Sequence, residues 1–347
     1  MSAANGLADF ANIPAVDVSG LLSSDPVPQR AVAEELGRAA REVGFLYVTG
    51  HGVPATLFED VLAVTQEFFA LPYEEKMRVY IGNSTNHRGY VPEGEEVFSG
   101  GTRDKKEAFD LALELPADDP DYLRGNRLLG PNLWPASPDM APVVNRYYAA
   151  VLELGHVLLR GFAMALGESP DVFSSYVTKP PSQLRLIHYP EDLAATDSVG
   201  IGAHTDYELF TLLRPTKPGL EVLNGAGTWV DVPVVPDAFV VNIGDLFETW
   251  TNGLFVATTH RVRKVTEERY SFPLFYNVDF DTVVEPLPQF VDPGRPARPA
   301  LRAGEHLFAQ TAQSFTYLRG RLDDGALALP EGSFALASFG RQETAGS

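Results

Sequence analysis

A histidine and an aspartate separated by one residue, His204 and Asp206, are the side chains of this 347-residue sequence best spaced for metal chemistry. They lie within residues 198–210, which the sequence predicts to be two short strands joined by a turn near Asp206. Because a strand directs residues i and i+2 to one face, an imidazole nitrogen and a carboxylate oxygen could be aimed at one point. The pair would supply two ligands of a 2-His-1-carboxylate site, which holds Fe(II) and leaves coordination positions open. A metal-free surface pair is the alternative.

The second histidine of such a site must come from elsewhere in the chain. His260 lies on a predicted late strand, and strands far apart in sequence become neighbours in a jelly roll, so it is the first candidate. His188, on the strand that precedes the pair, is the second candidate. His156 lies in a predicted helix with no acid or histidine four residues away to share a metal, and is assigned a structural role.

An arginine and a serine two residues apart, Arg269 and Ser271, follow His260 on the next predicted strand. Both would face the same way, and a guanidinium with a hydroxyl suits recognition of a carboxylate. A buried arginine without an acid nearby in sequence calls for an anionic partner. The alternative is a salt bridge to an acid of the barrel, such as Asp231 or Asp245.

Composition restricts the chemistry and the partners. Hydrophobic residues make up 45% and charged residues 21% of the chain, a globular balance. The absence of cysteine excludes disulfides, thiolate metal sites and a cysteine nucleophile. A net charge of −19 disfavours nucleic acid and anionic membranes as partners. No stretch approaches the ~18 apolar residues of a membrane span, and the first residues do not resemble a signal peptide, so a cytoplasmic protein is expected.

The elements that would position these residues fall into two halves. The first half is predicted to be largely helical, with helices at 26–43, 57–69, from Pro72, and at 143–166, strands at 13–18, 44–49 and 106–113, and a long loop at 118–138. The second half is predicted to contain short, closely spaced strands, at 183–189, 200–203, 210–213, 220–223, 228–230, 239–243, 258–262, 270–278 and 282–284. A helical turn at 244–251 and an amphipathic helix at 304–318 complete the predicted elements.

Many short strands without intervening helices favour an antiparallel double-stranded β-helix, or jelly roll. The predicted fold class is therefore mainly β with flanking helices, in which the helical N-terminal region buttresses the jelly-roll core. We divide the chain into an N-terminal region, 1–167, a catalytic core, 168–320, and a C-terminal lid or tail, 321–347.

Several short motifs occur together in a characteristic order. In the second half these are Gly202–Tyr207, Val240–Asp245, Thr251–Gly253, Thr259–Val262 and Arg269–Pro273. In the first half they are Ile13–Asp17, Val43–Val48, Gly50–Pro54, Phe68–Pro72 and Arg88–Tyr90. From about residue 12 to about residue 320 the sequence resembles the Fe(II)/2-oxoglutarate dioxygenases of the isopenicillin N synthase-like family.

The resemblance implies a reaction and the residues that serve it. Fe(II), 2-oxoglutarate and O2 would be required, and decarboxylation of 2-oxoglutarate to succinate would be coupled to C–H oxidation of a small molecule, with hydroxylation as the default outcome. The resemblance assigns the iron ligands to His204, Asp206 and His260. It assigns the distal carboxylate of 2-oxoglutarate to Arg269, Ser271 and Tyr189. For Tyr189 an aromatic of the barrel wall is the alternative. His51, Asn242, Gly244 and Asp245 match structural positions.

Four residues are candidates for contact with the substrate: Arg88, Glu208, Phe210 and Phe275. Glu208 lies two residues past Asp206 and would share its strand face, so it could contact a substrate amine or guanidinium; a rim salt bridge is the alternative. Arg88 could meet a substrate carboxylate. Together these interpretations suggest an amino acid or an amino-acid-derived metabolite.

Three other functions are compatible with parts of the pattern. An iron oxidase of the same family could use Arg269 and Ser271 for a substrate carboxylate and need no 2-oxoglutarate. A noncatalytic binding protein on the same fold would be expected to have lost a ligand. A zinc hydrolase would need a general base beside the metal and would leave Arg269 unexplained.

Overall fold

A computed structural model describes residues 7–97, 105–191, 199–263 and 266–330 of the chain. Its helices are α1 (Pro26–Glu42), α2 (Ala55–Phe69), α3 (Tyr73–Met77), α4 (Pro120–Leu123), α5 (Ala141–Ala165), α6 (Asp245–Trp250), α7 (Ala303–Ser314) and α8 (Thr316–Asp323). Its strands are β1 (Ala15–Asp17), β2 (Phe45–Thr49), β3 (Gly89–Val91), β4 (Glu107–Leu111), β5 (Gln183–Tyr189), β6 (Val199–His204), β7 (Phe210–Pro215), β8 (Leu220–Leu223), β9 (Trp229–Asp231), β10 (Phe239–Ile243), β11 (His260–Arg263), β12 (Arg269–Tyr276), β13 (Val283–Val284) and β14 (Leu301–Arg302).

Two sheets form the core and confirm the predicted jelly roll. The large sheet has the strand order β1-β2-β10-β7-β12-β5-β4-β3, and the small sheet has the order β6-β11-β8-β9. All pairings in these two sheets are antiparallel except that of β1 with β2. Consecutive strands such as β5 and β6 belong to different sheets, so residues distant in sequence come to lie on facing walls.

Alternation along the strands separates two environments. The odd-numbered residues of β5 and β12 line a cavity between the sheets: Gln183, Arg185, Ile187, Tyr189, Arg269, Ser271, Pro273 and Phe275. Leu184, Leu186, Phe272 and Leu274, at even positions, belong to the hydrophobic core between the large sheet and the helices. Because side chains alternate between the two faces of a strand, odd positions of these strands can reach a ligand and even positions stabilise the fold.

Helix α5 anchors the helical layer on the outer face of the large sheet. It packs against α1, α2 and β12, and its Tyr147 ring lies 6.3 Å from the ring of Phe272. By length and apolar composition α5 could also cross a membrane, but half of its most apolar window is buried in the protein. A mostly buried apolar stripe is typical of a core helix.

The N-terminal region contributes strands as well as helices. Strands β1 to β4, all within residues 1–167, make up half of the eight strands of the large sheet. The region thus does more than buttress the core, because it completes the sheet that forms one wall of the cavity. The predicted division at residue 167 separates two parts of a single sheet.

Local structure departs from the predictions in two places. The predicted loop at 118–138 contains α4, which Asp119 caps by accepting from the backbone of Asp121. The predicted helix at 304–318 is two helices, because Phe315 is extended and the Glu95 carboxylate accepts from the Tyr317 N–H at the start of α8. Of the predicted lid or tail, 321–347, the first residues complete α8, and the part beyond residue 330 lies outside the described residues.

Candidate active site

Three side chains of the two sheets converge at one end of the cavity. His204 ends β6, His260 begins β11, and the register of the two strands places these residues opposite each other. Asp206 follows β6 by two residues, and its Oδ1 lies 3.6 Å from His204 Nε2 and 3.5 Å from His260 Nε2. The three ligand atoms all lie within 4.8 Å of one another, and two imidazoles with one carboxylate suit Fe(II).

Hydrogen bonds set the direction in which each of these side chains points. His204 Nδ1 donates to the carbonyl of Gly202 at 2.7 Å, which leaves Nε2 turned toward Asp206. His260 Nδ1 lies 3.2 Å from the Thr258 carbonyl in the same arrangement. Backbone carbonyls that fix the imidazole tautomer in this way are typical of metal sites.

Two hydrogen-bond donors fix the carboxylate of Asp206 through the oxygen that faces away from the histidines. Its Oδ2 accepts hydrogen bonds from the Thr211 hydroxyl and from Asn242 Nδ2, the latter at 2.7 Å. Oδ1 is left to face the two histidines, so the residue offers one oxygen to a metal. Asn242, expected to be structural, thus contacts a metal-ligand candidate directly, and Thr211 was not anticipated.

The charges of the cluster suit metal binding. Burial would raise the pKa of Asp206, but the facing His260 and His204 and the hydrogen bond from Asn242 hold it well below its usual range. Burial lowers the pKa of His204 to about 4, with His260 acting in the same direction. For His260 burial is outweighed by Asp206, which raises the pKa. The carboxylate is therefore ionised and His204 neutral at neutral pH, and these are the forms that ligate metals.

The segment after Asp206 is a bend that the start of α6 holds in place. The N–H of Asp245 donates to the Asp206 carbonyl at 2.8 Å, and the N–H of Leu246 to the Glu208 carbonyl at 3.2 Å. A Cβ on Gly244 would collide with the backbone oxygen of Glu208. The structural role predicted for Gly244 and Asp245 fits these contacts. The predicted strand geometry for Glu208 does not, because residues 205–209 are not extended as a strand.

Arg269 and Ser271 face the cavity together, as their spacing predicts. Arg269 is 1% exposed, donates from Nε to the Lys217 carbonyl at 3.1 Å, and lies over the Tyr189 ring at 4.7 Å. Its Nη1 is buried and has no hydrogen-bond partner among the described residues. The alternative salt bridge to Asp231 is not formed, since that acid pairs with Arg263. A buried, unsatisfied guanidinium nitrogen on a cavity wall fits an anionic ligand.

Two of the four substrate candidates line the cavity. Glu208 is buried, and its Oε2 accepts from the N–H of Tyr207 at 3.0 Å. Burial, followed by the nearby Asp206, raises the pKa of Glu208 to about 8. Phe275 faces the cavity from β12.

The other two candidates, Arg88 and Phe210, lie elsewhere, which corrects the expectation from sequence. Arg88 is 1% exposed and donates to the backbone carbonyls of Asn86, His87 and Leu128, so its guanidinium ties loops together. Phe210 occupies an even position of β7 and therefore points to the helical layer, where it stacks on Tyr276 at 4.7 Å.

The remaining histidines considered from sequence have other partners. His188, the second candidate ligand, points away from the cavity and lies between Glu107 and Glu268 at 2.9 and 3.0 Å. His156 contacts the Tyr276 hydroxyl. His51 accepts from the N–H of Val53 and donates to the Asp237 carbonyl, in keeping with a structural role.

Three charged residues of the cavity wall were not among the candidates named from the sequence: Glu96, Lys106 and Arg185. Arg185 could have been found, because it shares the odd-numbered face of β5 with Tyr189. Glu96 lies in an irregular segment, where no periodicity indicates the direction of a side chain, and Lys106, the first residue of the strand predicted at 106–113, lies one residue before β4.

A jelly roll that brings two imidazoles and one carboxylate together beside a buried, unsatisfied arginine defines a class, the non-haem iron oxygenases. Comparison with known proteins gives the family within that class. Residues 13–137 match the model of the "non-haem dioxygenase in morphine synthesis N-terminal" domain. Residues 180–278 match the model of the 2OG-Fe(II) oxygenase superfamily.

Individual relatives cover nearly the whole chain. A homoarginine-6-hydroxylase of Glycine max, 2-ODD-C23, is 37% identical over 330 residues, which are 89% of this chain and 99% of that protein. Clavatol oxidase claD of Penicillium crustosum is 35% identical over 79% of this chain and 88% of that protein. Among solved structures, a full-length Neurospora crassa protein in complex with alpha-KG has a TM-score of 0.74 at 26% identity, covering 93% of this chain and 99% of that chain.

The chain belongs to the 2OG-Fe(II) oxygenase superfamily, in agreement with its resemblance to the isopenicillin N synthase-like dioxygenases. It is an Fe(II)/2-oxoglutarate-dependent dioxygenase that acts on a small molecule, with O2 as the oxidant. The predicted enzyme class and cofactors are confirmed.

Proposed function

We propose that this dioxygenase hydroxylates a small molecule that carries a cationic group, and that a guanidino or amino acid is the class that fits best. Glu208 is the observation that carries the proposal. Its carboxyl is 4% exposed, lines the cavity and lies two residues from Asp206. Across the described parts of the chain, no lysine or arginine forms an ion pair with it. A buried carboxylate calls for a cationic partner, and here that partner can be the substrate.

The relatives support the same substrate class. Four proteins that are 36–37% identical to this chain, from soybean, Arabidopsis and rice, are named homoarginine-6-hydroxylases. Position 6 of homoarginine is the carbon that bears the guanidinium nitrogen. Since Glu208 lies close to Asp206, it would hold a guanidinium near the metal and present the carbon beside it for oxidation.

The side chains of the site divide the remaining work. We assign the metal ligands to His204, Asp206 and His260. Fe(II), 2-oxoglutarate and O2, when bound, would together supply the oxidising chemistry, in which O2 oxidises 2-oxoglutarate to succinate and CO2 and provides the oxygen atom for hydroxylation. We assign the distal carboxylate of 2-oxoglutarate to Arg269, Ser271 and Tyr189, which meet on neighbouring strands. Four apolar side chains of the wall, Ile187, Leu213, Leu220 and Val262, exclude water from the reacting groups.

A substitution that removes the charge of Glu208 but nearly keeps its shape tests the role of this residue. We expect Glu208→Gln to raise the KM for L-homoarginine about tenfold or more, because a charge-assisted hydrogen bond is lost. The KM for the neutral urea analogue, L-homocitrulline, should rise much less in the same variant. The measurement is succinate release against substrate concentration. Glu267→Gln, which removes an exposed acid, is the matched control and should leave both KM values unchanged. An unchanged KM for L-homoarginine in Glu208→Gln would contradict the proposal.

A further inference from the structure

A second group of charges on the cavity wall is not accounted for by iron or 2-oxoglutarate. Glu96, Lys106 and Arg185 line the cavity, and Asp110 lies directly behind Arg185. Glu96, Lys106 and Asp110 are all at most 5% exposed, and the Arg185 side chain is 11% exposed. Charges buried to this degree are costly unless each is compensated, so their arrangement is informative.

Arg185 is held rigidly by two acids. Its Nε and Nη2 donate to the two oxygens of Asp110 at 2.7 and 2.8 Å, and Nη2 also contacts Glu96. Burial disfavours its charge, but Asp110 and Glu96 outweigh burial and hold the pKa of the guanidinium well above its usual value. The group is therefore a fixed, permanent cation.

One edge of this guanidinium is left for a ligand. Asp110 takes up Nε and Nη2 of Arg185, so Nη1 is the guanidinium nitrogen that this acid leaves unused, and the residue lines the cavity. Lys106 stands beside it and shares Glu96 as a partner, so two cations border the same part of the wall. Phe315 covers the guanidinium at 5.4 Å and limits access of water. Directed donors in an apolar surrounding suit a carboxylate.

The position of Arg185 relative to Glu208 suits a substrate charged at both ends. Arg185 is on β5, two strands from β7, and Glu208 precedes β7. At ~4.8 Å between strands, β5 and β7 are about 10 Å apart sideways. The register places Arg185 level with Leu213, five residues along β7 from Glu208, and Arg185, Lys106 and Glu208 all line the same cavity. In homoarginine, seven bonds of about 1.5 Å each separate the carboxylate carbon from the guanidinium carbon, so an extended amino acid of this kind carries its two charges to different parts of that cavity.

We infer that Arg185 and Lys106 form an anion subsite that binds the α-carboxylate of the substrate, while Glu208 binds its cationic end. The inference rests on the proposed function and names the residues that select an amino acid over a simple amine. Arg185 and Lys106 also orient the substrate, because only one of its ends can then lie near the metal.

Binding of an acid and of its amide tests the subsite without relying on turnover. The protein is loaded with Fe(II) and 2-oxoglutarate under anaerobic conditions and titrated calorimetrically with L-homoarginine and with its carboxamide. We expect the wild type to bind L-homoarginine at least about tenfold more tightly than its carboxamide. In Lys106→Met the preference should shrink severalfold, through weaker binding of the acid. Lys105→Met, at the exposed neighbouring lysine, is the matched control and should keep the wild-type preference.

The outcomes separate the subsite from the proposed function. Equal binding of acid and amide by the wild type would overturn the subsite and leave the cationic substrate class intact. A Lys106→Met protein that keeps the full preference would remove Lys106 from the subsite and so overturn the inference as stated. If Lys106→Met fails to fold, the comparison of acid and amide binding by the wild type still tests whether the subsite exists. Failure of the wild type to bind either compound would overturn the subsite and the proposed substrate class together.

Discussion

At the scale of single residues, the site depends on which atoms of each side chain are already engaged. Asp206 uses Oδ2 for Thr211 and Asn242, so only Oδ1 faces the two histidines. Arg269 uses Nε for a backbone carbonyl, while its Nη1 has no hydrogen-bond partner in the described parts of the chain. In both cases the protein fixes one atom through hydrogen bonds and directs another at the ligand. This preorganisation limits the reorganisation needed when metal and cosubstrate bind.

The choice between two histidines as the third ligand can be tested directly. We expect His260→Ala to abolish iron-dependent conversion of 2-oxoglutarate to succinate, because two ligands hold Fe(II) far more weakly than three. His188→Ala should retain it, since His188 contacts Glu107 and Glu268 outside the cavity. Iron content and succinate release are measured for both variants. Activity in His260→Ala, or loss of iron in a folded His188→Ala, would contradict the assignment.

Removal of the buried guanidinium should affect the cosubstrate more than the metal. We expect Arg269→Ala to raise the KM for 2-oxoglutarate about 10- to 100-fold, because a charge-assisted pair with a carboxylate is lost. Iron content should stay near the wild-type value. Arg263→Ala, which removes a half-exposed arginine paired with Asp231, serves as the control. A KM for 2-oxoglutarate that is the same in both variants would exclude Arg269 as the anchor.

At the scale of elements, the start of α6 controls the bend that carries Asp206 and Glu208. Backbone N–H groups of the helix donate to carbonyls of the bend, and Gly244 allows the two segments to approach closely. This explains why a turn without reacting groups belongs to the pattern of motifs. The metal ligand and the substrate residue are both positioned by this one contact.

The contact can be probed with one methyl group. We expect Gly244→Ala to destabilise the protein by about 1–3 kcal/mol, because the new Cβ meets the Glu208 backbone. Affinity for Fe(II) should fall as Asp206 shifts. Gly320→Ala in α8, where a Cβ meets nothing within 4 Å, should be neutral or stabilising. Thermal unfolding and iron titration are compared. Wild-type iron affinity in Gly244→Ala would show that the contact does not position Asp206.

At the scale of the whole molecule, the helical region and the core share one sheet. Strands β1 to β4 belong to the large sheet, and the even-numbered faces of β5 and β12 are covered by the helical layer. The division at residue 167 stays a prediction about sequence regions, and the cytoplasmic location also stays a prediction. An isolated core would expose apolar side chains and unpaired strand edges.

Truncation tests this unity. We expect a fragment of residues 168–347 to aggregate or to lack a cooperative unfolding transition, because half of the strands of its large sheet are missing. The full chain should unfold in one transition. Size-exclusion chromatography and thermal unfolding monitored by near-UV circular dichroism compare the two. A monomeric, cooperatively unfolding fragment that binds iron would show that the core folds on its own.

The sequence alone was sufficient for features that depend on local order. The alternation of the strands led to the jelly roll, and the ligand pair and the Arg-x-Ser pair led to the candidate site, because each pattern is encoded within a few residues. The order of the motifs gave the resemblance to a known family, which implied the cofactors and the enzyme class. Tertiary structure decided the rest. It placed His260, the first candidate from sequence, opposite His204, left Arg88 and Phe210 outside the cavity, and brought Arg185 beside Lys106. Such contacts depend on strand pairing and loop packing over long sequence separations, which local periodicity does not record.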